Sequence, residues 1–246
     1  MVGAVVLGAV FGAALPTPAY RLSVEWKAPA RTSCRECEAP LPTGGPGWLR
    51  FGSRCPGCGT RNGPPAWLLS VLVAAGCGGL TARFGLVPQA LPFLVLVPLG
   101  CLLAAVDMAC LRLPEALVLP GIGASLVVFT GLAMVTGQWG QLLRAGLAAL
   151  AMGGGYLVLA LLPGGQLGGG DVTLAALLGI FLGWLGWPFV LLGAVLPFLV
   201  NAPFAIGLLL ARRVGRGSSL PFGPAMLAGA YLAVVGPPAL LAVLSH

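Results

Sequence analysis

Two carboxylates and four thiols are the side chains best suited to chemistry in this sequence. Among its 246 residues and six acidic side chains, the only aspartates are Asp107 and Asp171. Asp107 follows the apolar run LPFLVLVPLGCLLAAV, and Asp171 follows another apolar run and a glycine cluster, PGGQLGGGD. A carboxylate at a membrane span costs roughly 2.5–3.5 kcal/mol even on lenient insertion scales, which makes each a functional candidate. Two carboxylates held together do not both ionise easily. One keeps a proton while the other activates water, and the pair titrates as a unit. For either aspartate alone, the competing role is a helix cap or an arginine partner.

The glycines Gly168, Gly169 and Gly170 precede Asp171 directly. They allow close backbone approach and positive φ, as a substrate strand beside an attacking water requires, or they form a plain loop between spans. They are candidate substrate-binding residues, as is Glu115, which otherwise reads as a first-turn helix charge after Pro114.

The thiols lie in one long polar segment, Arg21 to Pro65. Cys34 and Cys37 form one CxxC pair, Cys55 and Cys58 a second, with 17 residues between the pairs. That spacing suits a structural zinc site in which four thiolates close a tetrahedron. The segment is too poor in apolar residues to build a core, so the metal supplies folding energy and no catalysis. Two disulfides are the alternative, disfavoured in a reducing cytoplasm. Cys77, Cys101 and Cys110 sit in apolar runs and read as packing residues.

Other mechanisms fall away. The single histidine is His246, so no histidine-dependent serine or cysteine triad is available. No HExxH metalloprotease motif and no P-loop occurs.

The elements that must position these residues are membrane helices. Hydrophobic residues make up 58% of the chain and charged ones 8%, against about 25% charge in soluble domains. Apolar segments near 2–20, 65–82, 88–106, 117–136, 142–162, 172–186, 187–210 and 224–243 predict an all-α, polytopic bundle of about eight spans. The joint Gly183–Pro188 is almost uncharged and is the weakest boundary. No basic residue precedes the apolar run Val2–Leu15, so it reads as a short first span rather than a cleaved signal peptide. Loops 21–64, 107–116, 163–171 and 211–223 carry eleven basic residues and the opposite loops only Arg83 and Arg144. This asymmetry puts those loops and both aspartates on the cytoplasmic side, and it explains the net charge of +7 without nucleic acid. The expected organisation is a first span (1–20), a zinc-binding loop (21–64) and a membrane domain of about seven spans (65–246).

With these motifs in order, the chain resembles the type IV prepilin peptidases, membrane aspartic proteases with a GxGD signature. Gly8–Gly12 through Tyr20-Arg21-Leu22 loosely resembles the family's opening GSFxNVxxYRLP, and the CxxC pairs its cytoplasmic zinc loop. Asp107–Pro120 (DMACLRLPEALVLP) is similar to its aspartate-LPxxLxLP motif, and Gly168–Gly179 (GGGDVTLAALLG) to GxGDxKLLAALG. Leu220–Pro224 (LPFGP) resembles IPFGP. The resemblance implies that Asp107 and Asp171 are a catalytic pair, cutting the basic leader of type IV prepilin-like precursors at the cytoplasmic membrane face. It further implies, for relatives with the zinc loop, N-methylation of the product using S-adenosylmethionine. Glu36, Glu38 and Glu115 are candidate partners for the leader's positive charge. Three features depart from the family. Thr173 stands at its usual lysine, the opening segment lacks its asparagine, and residues 61–67 lack its tyrosine and glutamate.

The runner-up is a proton- or cation-coupled transporter using both aspartates as a relay, which predicts them near mid-membrane. A third reading is a scaffold whose zinc loop binds a partner.

Overall fold

The structure, a computed structural model, describes residues 1–25, 28–52, 54–162, 167–210 and 221–236. The chain divides into two compact units, Met1–Cys110 and Leu111–His246. Among the described residues every regular element is helical, apart from two isolated β-bridges in the cysteine segment.

The first unit holds α1 (Val2–Ala14), α2 (Pro16–Leu22), α3 (Gly45–Trp48), α4 (Ala66–Phe84) and α5 (Leu91–Cys110). Pro16 opens α2 without an N–H to donate back into α1, and the two helices meet at 41°. Helices α1 and α4 pack through small residues. A Cβ on Gly12 would stand 2.5 Å from the Leu69 carbonyl oxygen, so the backbones touch only because glycine is there. Pro64 and Pro65 precede α4, and α5 carries Pro98 in its interior.

The second unit holds α6 (Glu115–Thr136), α7 (Trp139–Leu161), α8 (Gly169–Leu185), α9 (Trp187–Leu210) and α10 (Gly223–Val235). Helix α8 is its core. Leu174, Ala175, Leu177, Leu178, Ile180 and Leu182 are all buried, with α6, α7, α9 and α10 packed around them. Gly179 and Gly183 bring α8 against α7: a Cβ on Gly183 would lie 2.5 Å from that of Ala148. Arg144 on α7 closes the end of α8. Its Nε donates to the Gly183 carbonyl at 2.7 Å and Nη2 to Trp184 O at 3.0 Å, satisfying carbonyls that a helix end leaves open. The Phe129 ring packs on Trp184 and Phe181 at 4.7 and 5.2 Å.

Among the described residues four helices are long and apolar enough to cross a membrane, or five if α1 and α2 form one bent span. The expected eight are therefore met only in part by length and composition. Helix α8 has 17 residues, and α10 has 13, the rest of the expected 224–243 span lying outside the described residues. The doubtful joint is a true break, since Gly186 at φ +148° separates α8 from α9. Two boundaries move. Helix α5 runs on to Cys110, so Asp107 lies inside a helix rather than in a loop, and Asp171 likewise falls within α8. Arg212, Arg213, Arg216 and Leu220 lie outside the described residues.

Candidate active site and metal centre

Asp107 sits in the last turn of α5 and is buried, 4% exposed. The helix stops three residues later because Leu111 turns left-handed, with φ +54°. That conformation costs a side chain about 1–2 kcal/mol. Cys110 lies one turn from Asp107, but its thiol is engaged with the Val106 carbonyl at 3.2 Å.

Asp171 occupies the first turn of α8. Its Oδ2 accepts the Gly168 N–H at 2.9 Å, while the Asp171 N–H donates to Gly168 O at 3.0 Å. One carboxylate oxygen thus caps its own helix, in the manner of a capping box. Of the two structural roles considered for a lone aspartate, capping is present here.

The glycine cluster differs from expectation in its backbone. None of Gly168, Gly169 and Gly170 takes positive φ; Gly168 is extended at φ −82°. What the cluster provides is close approach. A Cβ on Gly170 would stand 2.8 Å from the Leu113 Cβ, whereas Gly169 faces open space. Thr173 donates its hydroxyl to Gly170 O at 2.9 Å and so ties down the same turn. Glu115 is the first residue of α6 and is exposed, where a carboxylate meets the positive end of the helix dipole.

The four expected cysteines come together. The Sγ atoms of Cys34, Cys37, Cys55 and Cys58 all lie within 4.8 Å of one another, with Cys34–Cys58 at 3.8 Å and Cys37–Cys55 at 3.5 Å. A tetrahedral zinc with Zn–S of about 2.3 Å has sulfurs about 3.8 Å apart, so the set fits such an ion. The two knuckles repeat one design. Cys34 N–H donates to Ala39 O and Glu38 N–H to Cys34 O; Cys55 N–H donates to Thr60 O and Gly59 N–H to Cys55 O. Each knuckle turns on a left-handed residue, Glu38 at φ +55° and Gly59 at φ +71°.

The thiols are unequal. Backbone N–H groups of Cys37 and Glu36 aimed at Cys34 lower it to about 6, and Thr60 lowers Cys58. Cys37 is pushed up to about 12. The Ala39 N–H alone would lower it, but the crowding thiols of Cys58 and Cys55 outweigh that. Four thiolates at this spacing repel one another, and a divalent cation at their centre removes the repulsion. Sequence reasoning missed Asn62, which is buried with its side-chain amide 3.5 Å from Cys34 Sγ. It also missed the loop's anchor on α2. Buried Arg21 stacks on Trp48 at 5.0 Å and donates from Nη2 to Pro42 O at 2.6 Å. The signal for Asn62 was only its place in the polar segment, and that for Arg21 its place in the Tyr20-Arg21-Leu22 motif, which named no partner.

Comparison with protein families matches residues 94–206, which contain both aspartates, to the type IV leader peptidase family. The match covers just under half of the chain. No curated protein and no solved structure matches the chain. The matched stretch carries the two aspartates, on α5 and α8, and the four-cysteine cluster precedes it.

Proposed function

We propose that the protein is a membrane aspartic endopeptidase that removes the basic leader of type IV prepilin-like precursors at the cytoplasmic face of the cell membrane. The observation that carries this is the family match, which spans the only two aspartates in the chain. In this reading Asp107 and Asp171 share one proton. The ionised member takes a proton from water as that water attacks the scissile carbonyl, and the protonated member hydrogen-bonds the developing oxyanion. The capping bond from Gly168 holds Asp171 in orientation.

Support for a membrane location comes from the four or five span-length helices, with α8, α9 and α10 completing an eight-span reading. The charge asymmetry of the sequence supports the cytoplasmic side for both aspartates. The four thiolates would hold structural zinc, which supplies folding energy to the loop and takes no part in hydrolysis. Gly168, Gly169, Gly170 and Glu115 are the proposed substrate contacts. N-methylation of the new terminus with S-adenosylmethionine is the second activity this reading carries. The relay alternative has no family match behind it.

The test is co-expression with a type IV pilin precursor, reading leader removal by mass. Wild type should cleave, and Asp107→Asn and Asp171→Asn should each lose at least about a hundredfold. A product one methyl group heavier marks the second activity. If either variant cleaves at the wild-type rate, the two-aspartate mechanism falls.

A further inference from the structure

The cysteine segment exposes large apolar side chains where an extramembrane loop would ordinarily bury them. Leu49 is 59% exposed and Phe51 67% exposed, in the sequence Leu49-Arg50-Phe51-Gly52. This turn is fixed in place. The Thr17 hydroxyl donates to Arg50 O at 3.3 Å or to Gly52 O at 3.2 Å, and the Gly52 N–H donates to Ala13 O at 3.2 Å. Ala13 is in the last turn of the apolar helix α1, so Phe51 is held at the level where α1 ends. Helix α4 begins at that same level, because Gly12 on α1 packs on Leu69 and Ser70. There Trp67, two residues before Leu69, is also 67% exposed.

Along the sequence from Leu49 to Trp67 the charge has one sign. Arg50, Arg54 and Arg61 are exposed, and no acidic residue occurs between Glu38 and Asp107. Exposed aromatic and aliphatic side chains with exposed arginines close by in sequence, at the end of a span-length apolar helix, fit the boundary between headgroups and acyl chains. A basic leader peptide would be repelled from the same patch.

We propose that residues 49–52 form a membrane-dipping turn. Leu49 and Phe51 insert beside α1 and α4 into the interfacial layer, and Arg50 and Arg54 bind anionic phospholipid headgroups. The metal-bound loop is then fastened to the bilayer surface as well as to α2. This reading is independent of the peptidase activity, since it rests on the first unit alone.

A photoreactive benzophenone amino acid placed at Phe51 tests it, in the full-length, zinc-loaded protein in nanodiscs. After irradiation, the adducts are identified by mass. Lipid adducts should predominate and should increase when phosphatidylglycerol is added to phosphatidylcholine. Arg50→Gln and Arg54→Gln should lower the phosphatidylglycerol-dependent yield, by roughly fivefold for each charge lost. Raised salt should lower it in the unsubstituted protein as well, so the result does not hang on the variants folding. Adducts confined to the protein itself, or a yield blind to headgroup charge and salt, overturn the proposal. Adducts that form with an added pilin-like precursor in place of lipid also overturn it, and assign the patch to the substrate.

Discussion

Gly170 and Leu113 touch backbone to side chain: a Cβ at position 170 would stand 2.8 Å from the Leu113 Cβ and 3.4 Å from its backbone nitrogen. The start of α8 is thereby pressed against the joint that leads into α6. Gly170→Ala should cost about 1–3 kcal/mol through overpacking. Leu113→Ala should not rescue it, because the obstructing atom is the Cβ that alanine keeps. Gly169→Ala, in open space one residue earlier, should leave stability within about 1 kcal/mol of wild type. Thermal unfolding of the three variants in detergent checks the order.

Asp171 has a structural as well as a proposed catalytic contact, and the two can be separated. Asp171→Asn keeps an oxygen to accept the Gly168 N–H, so it should remove cleavage while leaving unfolding nearly unchanged. Asp171→Ala removes both and should lose about 1 kcal/mol in addition. Equal destabilisation by the two substitutions would show that the cap is not what holds the turn.

The metal site should respond to pH in a defined direction. Cys34 has its thiol lowered from 9.0 to about 6, so its thiolate contribution is fully present above pH 9 and is lost as pH falls through 6. Cys37, raised from 9.0 to about 12, must lose its proton to the incoming metal at any neutral pH. Zinc affinity should therefore fall as pH drops from 8 toward 6, with protons released on binding. Titration of the purified protein with zinc at several pH values, counting released protons, measures both. Chelation should expose all four thiols to a maleimide while the membrane helices stay folded.

Glu38 occupies the left-handed position that Gly59 fills in the matching knuckle. Glu38→Gly should relieve roughly 1 kcal/mol of backbone strain, and Gly59→Ala should add about as much. The rate of zinc loss to a chelator reports the loop's stability in each. The same Glu38→Gly variant tests the charge role considered for this residue, since unchanged leader cleavage would remove Glu38 from substrate recognition.

Arg144 should behave as a helix cap rather than a topological charge. Its two bonds to the Gly183 and Trp184 carbonyls form a fork that lysine does not reproduce. Arg144→Lys should recover only part of the roughly 2–3 kcal/mol lost by Arg144→Ala. Full recovery by lysine would mean that only the charge matters.

How much was legible beforehand depended on whether the signal was local. The cysteine spacing places four ligands within reach of one ion, and the apolar runs locate most helices to within a few residues. Helix ends were harder. Nothing in the run around Asp107 announces that α5 continues to Cys110, because the stop is made by Leu111, a residue type that rarely turns left-handed. The glycines before Asp171 suggested both close approach and positive φ, and only the first is present, at Gly170 against Leu113. The partners of Arg144 and Asn62 come from elements 39 and 28 residues away, which no local pattern reports.

In the proposed eight-span reading, helix α8, with Asp171 in its first turn, is short for a span. Its 17 residues rise about 26 Å, whereas the hydrocarbon layer is about 30 Å thick. A bilayer that matches such a helix must thin locally, by about 4 Å if the helix stands upright and by more if it tilts. Thinning draws headgroups and their hydration inward along α8. Hydrophobic mismatch thus offers a way for water to reach a carboxylate on an otherwise apolar helix, and thicker membranes would resist it.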